Sequence, residues 1–87
     1  MKAVIDGTCV SIDGQGVLLR GAPGAGKSDL ALRLIDAGAS LVSDDYCEVT
    51  VMDGALALNP PASIAGKIEI RGYGIVTLPF VESVKLQ

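Results

Sequence analysis

The stretch Gly21-Ala22-Pro23-Gly24-Ala25-Gly26-Lys27-Ser28 constrains this chain more than any other. It has the spacing G-x-x-x-x-G-K-[ST], and each residue type answers a physical need. Glycines at 21, 24 and 26 let the backbone curl until successive N–H groups point at one anion. Lys27 brings positive charge to the β- and γ-phosphates of a nucleotide, and Ser28 offers a hydroxyl to Mg2+. Ala22, Pro23 and Ala25 complete the loop. Upstream, "GVLLRG" is an apolar strand. Downstream, a helix starts near Lys27 or Ser28, with Leu30, Ala31, Leu34 and Ile35 on one face and Gly38 at its left-handed end. Strand in and helix out is the setting such a loop requires, because the helix dipole then faces the same phosphate.

The remaining sequence is read mostly as strands. Asp13-Gly14 and Asp53-Gly54 each separate two apolar runs, and Asp-Gly suits a tight hairpin turn. "SLVSDD" predicts a buried strand ending at Asp44-Asp45. Asn59 to Ala62, "NPPA", interrupts regular structure. "KIEIRGYGIVTLPF" predicts a strand that breaks at Gly72–Gly74, resumes at Ile75 and ends near Pro79. The expected fold is α/β: a P-loop nucleotide-binding domain with β-hairpins, one main helix after the loop and a mixed sheet.

Composition excludes several functions. The net charge is −3 and no Lys/Arg run exists, so a nucleic-acid interface is not expected. With no histidine and only Cys9 and Cys47, a zinc site is not expected either, and the two thiols read as small core residues. No apolar run is long enough to span a membrane, and the N-terminus lacks a secretory core, so the expected setting is the reducing cytoplasm. Hydrophobic residues make up 49% of the 87 residues. A chain this short buries only about 60–65% of its unfolded surface. The surplus predicts a piece of a larger domain or a face buried in an oligomer.

Phosphoryl transfer needs a metal, positioning and a group to receive a proton. Asp44 and Asp45 end the strand that follows the helix, and ligands of α/β sheets gather at the carboxyl ends of strands. Neighbouring side chains on a strand point to opposite faces, which predicts divided roles for the pair. Glu69 and Arg71 alternate with Ile68 and Ile70, a pattern that by itself indicates a half-buried strand with solvated charges.

"GAPGAGKSDLALRLIDAGASLVSDDYCEV" followed by "IEIRGYGI" resembles the catalytic domain of HPr kinase/phosphorylase, in its short proteobacterial form. The resemblance extends over nearly the whole chain. It implies an ATP-dependent, Mg2+-requiring kinase that phosphorylates a serine of the phosphocarrier HPr, or of its nitrogen-branch homologue, and can remove the phosphate again. It implies that Lys27 contacts nucleotide phosphates, that Ser28 and Glu69 bind Mg2+, and that Asp45 is the base for phosphorylation and the acid for the reverse. Asp44 is implied to support the metal region, and residues 68–77, with Arg71, to serve both reactions. The resembled family forms hexamers, which implies a homo-oligomer.

Two departures accompany the resemblance. Where the family has a His-Gly pair before the first hairpin, this chain has Asp6-Gly7. An imidazole can donate to phosphate but an ionised carboxylate only accepts, so Asp6 is expected near the loop and adverse to phosphate. The family domain also continues beyond the position of Gln87. Residues 1–87 are therefore expected to form one incomplete kinase domain that binds nucleotide weakly. A catalytically impaired nucleotide-binding regulatory module is the alternative. A small-metabolite kinase fits less well, since Arg20, Arg33 and Arg71 do not cluster as a lid would need.

Overall fold

The computed structural model describes residues 2–21, 26–70 and 72–86. The order of elements is β1 (Lys2–Asp6), β2 (Thr8–Ile12), β3 (Gln15–Leu19), α1 (Lys27–Asp36), β4 (Ser40–Ser43), β5 (Tyr46–Met52), β6 (Ala55–Asn59), a 3-10 turn (Ala62–Ile64), β7 (Lys67–Ile70), β8 (Gly74–Thr77) and β9 (Val84–Lys85). Three antiparallel sheets result, ordered β1-β5-β6-β9, β3-β2-β4 and β7-β8. The expected mixed sheet is thus corrected: among the described residues, parallel pairing is confined to the isolated bridges Gly16–Leu86 and Leu41–Phe80. The reason is that β2 lies between β3 and β4, so the strand before the loop and the strand after the helix run parallel without touching.

One long antiparallel ribbon organises the molecule. The register that pairs Lys2 with Thr50 and Asp6 with Tyr46 continues at the same offset to Cys9 with Ser43, although β1-β5 and β2-β4 belong to different sheets. The ribbon bends where it changes sheet. There Gly7 N–H donates to the Asp45 carbonyl at 2.8 Å, and Tyr46 N–H closes a tight turn on the Asp44 carbonyl at 2.8 Å. Asp45 accepts a φ of 66° to make that turn.

The β3-β2-β4 sheet is covered on both sides, which is why its strands are apolar at successive positions. Val10 and Leu41 pack with Ala31 of α1 and Ile68 of β7. Their neighbours Cys9 and Val42 face the other way, onto Cys47, Leu58 and Val84. Both cysteines are buried free thiols in that second cluster. Leu30 is a correction: it is 46% exposed. The helix packs through Ala31, Leu34 and Ile35 as expected, and through Leu32, so its buried arc is centred away from Leu30.

The segment read as one interrupted strand folds back on itself. Ile68 pairs with Val76 and Glu69 with Ile75, making β7-β8 a hairpin. Gly66 seats this hairpin, with φ +77°, and a Cβ there would lie 2.9 Å from the Leu78 carbonyl oxygen. Gly66→Ala is expected to destabilise the chain by about 2 kcal/mol, combining left-handed strain with that clash. A denaturant titration checks this. Among the described residues no helix is long and apolar enough to cross a membrane.

Candidate functional site

The carboxyl ends of β3 and β4 and the amino end of β2 meet at one edge of the central sheet, because β2 runs antiparallel to both. A cleft of about 700 Å³ opens at that edge, and Gly21, Gly26, Lys27 and Ser28 line it. Gly26 caps α1 with φ 86°, a left-handed conformation that glycine adopts without strain. The helix therefore starts at Lys27 with its first N–H groups toward the cleft. Ala22, Pro23, Gly24 and Ala25 of the glycine-rich stretch, and Arg71, lie outside the described residues.

Asp44 ties the site together. It is only 3% exposed. Its Oδ1 accepts the Ser28 hydroxyl at 2.8 Å and the Thr8 hydroxyl at 2.9 Å, and its Oδ2 accepts the Glu69 backbone N–H at 3.1 Å. One carboxylate thus joins the start of α1, the β2 strand and the β7-β8 hairpin. The Ser28 proton is spent on Asp44, so the lone pairs of Ser28 Oγ remain for a cation.

Asp45 is exposed, one residue beyond the buried Asp44, and lines the cleft with Lys27, Ser28 and Glu69. The left-handed turn at Asp45 separates the two side chains. Desolvation at the cleft wall raises the Asp45 pKa above the usual carboxylate value. The charges of Asp44 and Glu69 push it further, and Lys27 opposes them. Asp6 and Tyr46, paired across β1 and β5, border the same cleft, as does Asp29 from the first turn of α1.

The donors facing the cleft are hard oxygens, from Ser28, Asp45 and Glu69. Among the described residues no three His, Cys, Asp or Glu side chains converge as a metal cage. Hard oxygens of this kind suit Mg2+, which binds through one or two protein oxygens while keeping water and phosphate oxygens. The mutual repulsion evident at Asp45 is what a cation would relieve.

The residue that sequence reasoning passed over is Thr8. Its type gave no signal within an apolar strand. Only the pairing of strands, which sets the next residue, Cys9, opposite Ser43, brings it to Asp44.

A family model described as HPr Serine kinase C-terminal domain matches residues 1–81. An HPr kinase/phosphorylase of Clostridium novyi is 41% identical over 73 residues, covering 84% of this chain and 24% of that protein. One from Clostridium tetani is 39% identical over 75 residues, covering 86% and 25%. The chain thus spans about a quarter of the length of the curated relatives it matches. The solved HPr(Ser) kinase/phosphatase of Coxiella burnetii superimposes with a TM-score of 0.91 at 32% identity, over 98% of this chain and 56% of that one.

Proposed function

The chain belongs to the HPr serine kinase C-terminal domain family, and from that premise we propose that it is the nucleotide-binding part of an ATP-dependent protein serine kinase. Its acceptor is HPr or the nitrogen-branch homologue, and residues 1–87 belong to one P-loop kinase domain, of which they are a part. The observation that carries this reading is the hydrogen-bonded junction of Ser28, Asp44 and Glu69 beside a cleft that also holds Lys27 and Asp45.

Residues 21–28 cradle the phosphates of ATP, with Lys27 against the terminal ones. Ser28 and Glu69 hold Mg2+, with Asp44 orienting the Ser28 hydroxyl. When bound, Mg2+ offsets the negative charge that develops on the phosphates. Asp45 receives the proton of the acceptor serine as its oxygen bonds to the γ-phosphorus and the bond to the β–γ bridging oxygen breaks. Arg71 belongs to the same catalytic group. The protein works in the cytoplasm as a homo-oligomer, a hexamer on the pattern of the resembled family.

A second reading draws on Asp6, which borders the cleft with Lys27. A carboxylate there opposes a phosphorylated substrate or free phosphate. That favours a catalytically impaired nucleotide-binding regulatory module.

Lys27→Ala tests the shared basis of both readings. Losing a charge-assisted contact to phosphate costs about 1.5–3 kcal/mol, so Mg-ATP affinity is expected to fall about 10- to 150-fold with the fold intact. Calorimetry that finds equal affinities for the two proteins overturns the assignment of the loop.

A further inference from the structure

Thr8 is 1% exposed and sits in β2 beside Cys9 and Val10, which are fully buried. Valine would fill this position with the same branched shape. A buried hydroxyl is costly unless it is bonded, and here its partner is Asp44 Oδ1 at 2.9 Å. The other donors to Asp44 come from the ends of separate elements: Ser28 opens α1 next to the glycine-rich stretch, and Glu69 belongs to the two-stranded hairpin. Thr8 alone among these donors belongs to the central β3-β2-β4 sheet, which is packed on both faces.

We propose that Thr8 is a positioning residue for the metal side of the phosphate site: it anchors Asp44 to the central sheet, so that Asp44 holds the Ser28 hydroxyl with its lone pairs toward the cation. This rests on the nucleotide-binding reading given above. Thr8 touches neither nucleotide nor metal. Its effect passes through the Asp44 carboxylate, which Thr8 holds from the sheet while Ser28 and the Glu69 N–H each hold one of its oxygens from elements at the edge of the cleft. Ser28 Oγ and Thr8 Oγ1 share one carboxylate oxygen, so a rotation of that carboxylate moves Ser28 directly.

The experiment compares the protein with Thr8→Val and Thr8→Ser. ATP affinity is measured by calorimetry with EDTA and again with Mg2+, and amide hydrogen exchange is followed at Glu69. In Thr8→Val, affinity in EDTA is expected to stay within about twofold of the unsubstituted protein. The gain in affinity on adding Mg2+ is expected to shrink about 3- to 10-fold, the worth of one net hydrogen bond. Exchange at the Glu69 amide should quicken as its acceptor loosens. Thr8→Ser, which keeps the hydroxyl, should restore both.

Unchanged Mg2+ gain in Thr8→Val overturns the proposal. So does an equal loss of affinity with and without Mg2+ that Thr8→Ser fails to restore, since that marks a purely structural effect. Absence of ATP binding by the unsubstituted protein under both conditions overturns the nucleotide-binding reading, and the role of Thr8 with it.

Discussion

In a longer protein that carries these residues and phosphorylates HPr, Asp45→Asn is expected to lower that phosphorylation by about 10²- to 10⁴-fold while ATP still binds, which is the usual worth of the positioned general base proposed for Asp45. A serine hydroxyl is a weak nucleophile unaided, and asparagine keeps the shape of the side chain while removing its basicity. The pH dependence provides an independent readout. Desolvation, then the charges of Asp44 and Glu69, raise the Asp45 pKa against the pull of Lys27. In its proposed role as base Asp45 must be ionised, so activity of that longer protein should fall on the acid side at a higher pH than an ordinary aspartate would give.

The same shift sets the sign for stability. Folding raises the Asp45 pKa, so its contribution to stability is present below the unfolded-state pKa and is lost as pH climbs through the folded-state value. The ionised carboxylate therefore opposes folding at neutral pH, and a neutral asparagine does not. Asp45→Asn should match or exceed the unsubstituted protein in thermal stability there. A phosphate-transfer assay with labelled ATP and a melting curve check the pair of outcomes. Full transfer activity would place the base elsewhere, and a lowered melting temperature would give Asp45 a structural part.

Asp44 is expected to behave in the opposite way. Asp44→Ala leaves the buried Thr8 hydroxyl and the Glu69 N–H without their acceptor. Each orphaned donor costs about 1–3 kcal/mol. A chain of 87 residues has roughly 4–13 kcal/mol of stability in total, at about 0.05–0.15 kcal/mol per residue. The melting temperature should drop by about 10 °C or more.

Asp44→Asn separates structure from chemistry. Its carbonyl can still accept from Glu69 N–H, and its amide can donate to the Thr8 and Ser28 oxygens, because hydroxyls accept as well as donate. The fold should then survive. The Ser28 proton, however, is released toward the cleft, where a lone pair is needed for the cation. Mg2+-dependent ATP affinity should fall in Asp44→Asn, with binding in EDTA retained. Calorimetry under both conditions and a thermal melt check the two variants. A wild-type melting temperature in Asp44→Ala would show that the three hydrogen bonds contribute little to folding.

Much of the local structure was legible beforehand. The turns at Asp13-Gly14 and Asp53-Gly54 form as expected, with φ of 52° and 80° at the first and 52° and 77° at the second. The helix occupies Lys27–Asp36, and Gly38 follows it with φ 114°. The strands β1 and β9 were not legible. Lys2–Asp6 exists as a strand by pairing with β5, and Val84–Lys85 by pairing with β6, so neither carries its own signal. The fold-back of "IEIRGYGI" escaped for a related reason. Glycine at 72 and 74 permits a turn, with φ of 88° and 101°, but does not demand one.

The surplus of apolar residues is visible as exposed Val4, Val51 and Leu56 in the β1-β5-β6-β9 sheet, and as Tyr73 and Ile75 on the β7-β8 hairpin.

By itself, the sequence determined the chemical vocabulary of this protein: a glycine-rich G-x-x-x-x-G-K-S stretch before a helix, hairpins turned by Asp-Gly, and an aspartate pair after a buried strand. Those features depend on backbone preferences and side chains within a few residues of one another. Tertiary structure alone decided how the aspartates divide, with Asp44 buried under donors 36, 16 and 25 residues away and Asp45 left in the cleft. It also brought Thr8 under Asp44 and Asp6 to the cleft that Gly26, Lys27 and Ser28 line. The physical reason is register. A single antiparallel ribbon crosses from one sheet to another at Gly7 and Asp45, and the offset of its two strands sets which side chain meets which. That offset is chosen by burial on both faces of the central sheet, a property of the packed whole that no segment carries alone.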